Sequence, residues 1–533
     1  MRALRFGPMR RTVACLVVLA AAGVPAPGGA RAEGAGNAWP FGSSESGLRT
    51  KKRDLYNLGI LGAKARDADR AELSIEGEGK RQFKVDPNDK GADDGPDRLR
   101  VEILYPGGLA AKAGLLVGDV VTGVNGRKFK GASLAALARA LTDAESGKTK
   151  GIVKLTVERE PGKDPVTIDV AVPVAGKDAD KPQAGPFRDR LVSAAAEWLA
   201  KHQDETGGFP QTLSGENGAV VQTCMAGLVW LATGSDLKKG PYADRLRKAA
   251  DFVGMTAGVD SGGSPQPGVN WSQVNWGLAH AGIFLGELQA RSPDDGVAAA
   301  LVKCGDALAK NQETSGGWAH GPGGPNGLGY VELNIVTGLA LCGMGMAQRG
   351  GFQPPADVVK KAEEYLVASS SGDGGIGYST SPGQVGQGNI GRSAIAWLGM
   401  VSLGQRNAPS AKKMESYVRS HAGEVFGGHA SLMQHYLLAG VAAHAQGGET
   451  LAKYWETCER DMVLARAPDG SFQPRPFHES LGMGSNSDVT FGEVWTTAAW
   501  AVVLGCEPVK GGRPGLPAWL GKLPPPLPAP KKK

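Results

Sequence analysis

One turn, repeated, constrains this chain more than any other feature. Glycine-rich turns, most carrying an aromatic or aliphatic residue, recur at Gly207-Gly208-Phe209, Gly262-Gly263, Gly316-Gly317-Trp318, Gly374-Gly375-Ile376, Gly427-Gly428 and Gly470-Ser471-Phe472. Their centres fall ~43 to ~58 residues apart, the spacing of helical repeat arrays. The chain holds 80 glycines in 533 residues, roughly twice the ~7% of an ordinary protein. No collagen-like period accompanies them, so the excess belongs to tight turns.

Each turn stands between two helices of different character. Arg190 to Gln203 and Val297 to Gln312 are amphipathic, whereas their partners, Val220 to Thr233 and Tyr330 to Met346, are apolar on nearly all sides. Helices apolar all round must be wrapped by other helices. Six hairpins with buried second helices predict a closed, all-α (α/α)6 toroid over 188–507, with a Pro/Lys-rich disordered tail over 508–533.

Residues 50–175 read differently. Leu99 to Leu104 alternates as a strand, Ala110 to Leu115 makes a short helical turn, and Asp119 to Val124 is a strand closed by Asn125-Gly126. Ser133 to Leu141 is helical, and Gly151 to Glu158 and Val166 to Val174 add two strands. The chain is thus multidomain: a small α+β module, a Lys/Asp/Pro/Gly-rich linker over 176–187, then the toroid.

Two resemblances follow from these residues. The run Pro106-Gly-Gly-Leu-Ala-Ala-Lys-Ala-Gly-Leu-Leu-Val-Gly-Asp-Val-Val-Thr-Gly-Val-Asn-Gly126 resembles the heart of a bacterial PDZ domain of the kind found in HtrA-like and tail-specific proteases. That resemblance implies a loop capping a peptide carboxylate, with the peptide added as a strand beside it. The matching loop is Asn57-Leu58-Gly59-Ile60, with Asn57 where a first glycine is usual; a groove filled by the chain itself is the alternative. A polar insertion, Asp67 to Asp97, follows. No Gly-x-Ser-x-Gly nucleophile motif is present.

The Gln-x-x-x-Gly-Gly-Phe/Trp turns at Gln203 and Gln312 resemble those of the terpene-cyclase and protein-prenyltransferase toroids, over about 190–507. The resemblance implies the fold and leaves activity open. The cyclases' Asp-x-Asp-Asp motif, the prenyltransferases' zinc ligands and the Cys-Gly-Glu-Gln thioester of complement-like toroids have no match. The whole arrangement resembles secreted proteins of planctomycete-type bacteria.

The first thirty-two residues read as a secretory signal: Arg2, Arg5, Arg10 and Arg11, an apolar run from Thr12 to Val24, and Ala30-Arg31-Ala32 as the cleavage site. Export to the periplasm or beyond is expected, with Glu33 first in the mature chain. Arg31 and the other four arginines leave with the signal, bringing the formal charge from +6 to +1. A near-neutral chain gives no electrostatic case for nucleic acid. No later segment reaches the ~18 apolar residues of a membrane span. Cys224, Cys304, Cys342, Cys458 and Cys506 lie in apolar helical stretches and read as buried hydrophobes, with a Cys304 to Cys342 disulfide as the alternative. No metal spacing and no cofactor motif appear.

In such a toroid the second helices line a cavity and their first turns reach its mouth. Those turns carry Gln222, Asn270, Trp271, Gln273, Asn275, Tyr330, Glu332, Asn334, Arg392, His429, Gln434, His435, Asp488, Thr490, Glu493 and Trp495. Such groups suit a saccharide or peptide-like ligand better than a hydrocarbon. Glu332 and Glu493 equally suit helix starts, where an acid meets the positive dipole end. Arg392 opposes that dipole and is expected to pair with Glu332, Glu493 or a ligand anion.

Three functions compete. A peptide- or protein-binding scaffold comes first, its PDZ groove reading a C-terminus and its toroid holding a polar ligand. A glycoside hydrolase or polysaccharide lyase using Glu332 with Asp488 or Glu493 comes second. A terpene cyclase is the remote alternative, since its acid is absent.

Overall fold

The computed structural model describes residues 55–69, 95–209, 215–259, 273–322, 331–427, 431–474 and 487–506. The expected signal over 1–32, most of the 67–97 insertion and the tail over 508–533 lie outside them. Among the described residues, seven strands form one antiparallel sheet in the order β1-β2-β3-β4-β6-β7, with β5 beside β4. These are β1 (Tyr56–Asn57), β2 (Ala63–Asp67), β3 (Leu99–Leu104), β4 (Val120–Val124), β5 (Arg127–Lys128), β6 (Ile152–Glu158) and β7 (Val166–Ala171). Val153, Leu155 and Val157 alternate inward along β6, facing Ile168 and Val170 of β7. Helix α1 (Leu109–Lys112) is short; α2 (Ser133–Glu145) buries Leu134, Leu137, Leu141 and Ala144.

The remaining helices form two concentric rings. The outer ring is α3 (Gly185–His202), α5 (Ala243–Thr256), α7 (Asp295–Lys310), α9 (Ala356–Ser369), α11 (Pro409–His421) and α13 (Gly448–Ala465). The inner ring is α4 (Gly215–Ala232), α6 (Val274–Arg291), α8 (Asn334–Ala347), α10 (Ile390–Ser402), α12 (Leu432–Gln446) and α14 (Ser487–Gly505). Each inner helix packs on the next, and α14 packs on α4, so the ring closes. This is the expected (α/α)6 toroid.

The repeated turn is the joint between neighbouring hairpins. Gly316 has φ +94°, and a Cβ there would lie 2.3 Å from Lys361 O of the next outer helix. Left-handed backbone and close approach both demand glycine. Gln312 Nε2 donates to Gly316 O at 2.9 Å and to Val358 O at 2.8 Å, tying its own turn to helix α9. Gln203 does the same with Gly207 O and Arg245 O. At the sixth turn Gly470, φ +94°, packs against Ala194 of α3 and joins the last hairpin to the first.

One expectation changes here, and one alternative falls away. The stretch 176–187 is a folded joint: Lys177–Asp180 forms a 3-10 turn, Ala179 is buried, and Asp180 accepts from Arg139 at 3.3 Å and from Lys148. Through Asp180 it is paired to the module before it. Cys304 and Cys342 are both free, as are Cys224, Cys458 and Cys506, and all are buried. Burial pushes the thiols of Cys304 and Cys342 up to about 12.

Candidate functional site

Alternating outer and inner helices send every outer-to-inner connection to one face, where the inner helices begin. The connections on the opposite face are Thr233 to Tyr242, Ser292 to Asp294, Gln348 to Pro355, Leu403 to Ala408, and Gly447 alone. The longest on the first face run from Asn311 to Leu333, Ser370 to Asn389 and Arg466 to Asn486. Long connections over a rigid frame are where binding sites are built.

Several polar residues expected to line this mouth hold the frame together. Asn275 is fully buried; its Nδ2 donates to Ala319 O at 2.9 Å, and its Oδ1 accepts from Asn311 Nδ2 at 2.9 Å. Asn334 repeats the tie one hairpin later, donating to Ser369 Oγ and Gly377 O. Gln222 donates to Phe491 O at 2.9 Å and links α4 to α14.

Asp488 is 1% exposed and accepts from Ser431 Oγ at 2.5 Å, Met433 N at 2.9 Å and Trp495 Nε1 at 3.1 Å. Burial raises its pKa, against those hydrogen bonds. It joins the start of α12 to α14, and buried Trp495 completes that joint.

Arg392 corrects its expectation most clearly. It is 9% exposed, with Nε 3.3 Å from Ile376 O and Nη2 3.2 Å from Gln387 O, and its guanidinium lies 5.6 Å from the Tyr378 ring. Neither Glu332 nor Glu493 pairs with it, and desolvation pulls its pKa down to about 10. The side chain pins the 370–389 connection instead.

Gln273 and Glu332 are half-buried just before α6 and α8, and Glu493 is half-buried after Gly492, where α14 kinks at φ 76°. His435 is buried against Gly391. Trp271, Tyr330, His429 and Asn270 lie outside the described residues, as does the side chain of Thr490.

The sequence reading missed an aromatic pair. Trp276 and His320 are half-buried with rings 5.9 Å apart and 23° from parallel, and Trp276 Nε1 donates to His320 Nδ1 at 2.8 Å. Their signal was present: Trp276 follows Asn275, and His320 ends the Gly316-Gly317-Trp318 turn. Among the described residues no group of three or more His, Cys, Asp or Glu could hold a metal ion, and no helix is long and apolar enough to cross a membrane.

The loop expected to read peptides does different work in part. Leu58 N–H bonds Ala63 O at 3.0 Å, and Asn57 Nδ2 donates to Pro474 O of the toroid at 3.1 Å, so neither is placed to hold a carboxylate. β1 already pairs with β2 at Lys64 and Ala65, where an added peptide strand was expected. The N–H groups of Gly59 and Ile60 meet no acceptor among the described residues. Gly59 has φ +63°, a left-handed conformation of the kind from which backbone nests are built.

The Gly59 backbone packs against the toroid. A Cβ on Gly59 would lie 3.0 Å from Val463 O and 3.5 Å from Leu464 Cα, at the end of α13. Beside it Arg466 Nη1 and Nη2 meet Glu145 Oε1 and Oε2 at 3.0 and 2.6 Å, with side chains 3% and 7% exposed. Arg466 stands four residues before Gly470, the position Gln203 and Gln312 hold in their own turns.

Residues 100–159 match the PDZ domain family. Solved structures with similar folds include unsaturated glucuronyl hydrolase from Bacillus sp. GL1, 11% identical with TM-score 0.37, covering 59% of this chain and 94% of that one. A protein from Actinoplanes is 14% identical with TM-score 0.36, covering 60% and 98%. A type II terpene cyclase from Scytonema is 14% identical with TM-score 0.33, covering 60% and 97%. At such identities and scores none carries an activity to this chain. No curated protein matches it. Residues 189–505 match the family described as Domain of unknown function (DUF6288), and the chain belongs to that family, with a PDZ domain ahead of the toroid.

Proposed function

We propose that this is an exported binding protein that captures a peptide C-terminus at its PDZ nest and presents a second, polar site at the mouth of the toroid. The observation that carries the reading is the pair of successive N–H groups at Gly59 and Ile60, buried or half-buried without an acceptor among the described residues. Unpaired backbone donors in a dry place favour an anionic acceptor, and a terminal carboxylate is the anion that PDZ modules take. At the mouth, the Trp276–His320 pair and half-buried Gln273, Glu332 and Glu493 suit a saccharide or peptide-like ligand.

A hydrolase using Glu332 and Glu493 is the second reading, because both acids are half-buried on the mouth face. Asp488 does not serve it, its oxygens being held by the α12 and α14 starts. The test is a library of short peptides with free C-termini, and the same peptides amidated, titrated against the full chain. Carboxylate-dependent binding, at least tenfold weaker after amidation, is the expected result. Equal binding of both libraries would remove carboxylate capture, and turnover of oligosaccharides would move the function to hydrolysis.

A further inference from the structure

We propose that helix α13 is a built-in plug on the PDZ nest, latched by the Glu145–Arg466 pair, so that the nest takes a C-terminal carboxylate weakly while that pair is closed and more tightly when it opens. The proposal rests on the nest's reading as a carboxylate site and adds its regulation. Contacts along 463–474 support it. The last turn of α13 brings Val463 O and Leu464 against Gly59. Carbonyls at a helix C-terminus carry partial negative charge, so this end offers the nest a weak substitute for a carboxylate. Among the described residues its backbone makes no hydrogen bond to the Gly59 or Ile60 N–H, so α13 packs on this loop and leaves the two donors for a stronger acceptor.

The rest of the contact is held elsewhere. Arg466 and Glu145 form a two-pronged buried pair between the PDZ helix and the sixth turn, and Arg466 also lies 5.6 Å over the Phe187 ring. Asn57 reaches Pro474 O, and Gly62 packs towards Pro468. The sixth turn also carries its own kind of joint. In the first and third turns Gln203 and Gln312 bind the next outer helix; Arg466, at the same position, binds the PDZ domain. The arginine gives this turn a partner in the other domain, and a bidentate ion pair has the directionality of a latch.

The experiment uses the full chain in three forms: wild type, Arg466→Glu, and the charge swap Glu145→Arg with Arg466→Glu. Arg466→Glu sets two acids against each other at the latch, whereas the swap restores an opposite-charge pair. A fluorescein-labelled library of short free-carboxylate peptides, and its amidated twin, are titrated while hydrogen exchange follows the amides of residues 57–61. The expected result is at least tenfold tighter carboxylate binding and faster exchange in Arg466→Glu, both returning towards wild type in the swap. If Arg466→Glu does not fold, Glu145→Gln, which keeps an acceptor and loses the charge, is expected to give a smaller shift in the same direction. Equal, carboxylate-dependent affinity in wild type and variant would overturn the latch and keep the nest. Absence of carboxylate-dependent binding in a folded variant with exposed 57–61 amides would overturn the nest itself, and the latch with it.

Discussion

Single residues here are governed by what burial does to a charge. His280 in α6 is buried, with Nδ1 2.8 Å from Trp276 O, and desolvation pulls the imidazole down to about 4. An unfolded histidine titrates near 6.5. Between those values the unfolded chain binds a proton that the folded one refuses. The stability this group contributes is therefore complete above pH ~6.5 and falls as pH drops towards ~4, by up to about 3 kcal/mol. Urea unfolding of wild type and His280→Asn at pH 7 and pH 4.5 checks it: the wild type is expected to lose more stability over that interval. Parallel losses would mean that His280 is protonated in the folded protein.

The repeated turn is the element on which the toroid depends, and its glycines are bound by more than backbone angle, as comparison with Gly351 in the connection from α8 to α9 shows. Gly316 and Gly351 have similar angles, φ +94° and +101°, yet a Cβ on Gly316 would meet Lys361 O at 2.3 Å whereas one on Gly351 meets nothing within 4 Å. Gly351→Ala should cost about 1–2 kcal/mol, the left-handed backbone alone. Gly316→Ala adds a clash with the backbone of α9 and should cost about 3 kcal/mol or more. Paired denaturation midpoints test the difference. Equal losses would show that the joint between hairpins yields easily, against the close approach described above.

At the scale of the whole molecule, two buried arginines separate by partner. Arg466 meets a carboxylate across the domain junction, and Arg392 meets only carbonyls and a tyrosine face. Arg466→Ala strands Glu145 and should lower stability by about 3–5 kcal/mol. Arg392→Met removes a buried charge that no acid offsets, together with its hydrogen bonds to Ile376 O and Gln387 O, and should cost about 1–2 kcal/mol, less than Arg466→Ala. Calorimetric unfolding of both variants gives the comparison. A larger loss from Arg392→Met than from Arg466→Ala would reverse this assignment of roles.

The hairpin order and the turns at Gly207, Gly316, Gly374 and Gly470 were legible in the sequence, because Gly-Gly-Trp318 or Gly-Gly-Ile376 needs the same local backbone whatever surrounds it; Gly262-Gly263 and Gly428 lie outside the described residues. The PDZ strands were legible for a like reason: alternation along 152–158 is a property of one strand. The mouth was not. Asn275, Gln222 and Asp488 occupy first turns just as ligand-binding residues would, and only closure of the inner ring turned their amides and oxygens onto neighbouring helices. Trp276 and His320, 44 residues apart, became a pair by the same closure. The latch is the extreme case, since Glu145 and Arg466 are 321 residues apart. Local sequence sets backbone angles and the apolar faces of single elements; which side chains meet across the junction depends on how two finished bodies pack, and that is decided only in three dimensions.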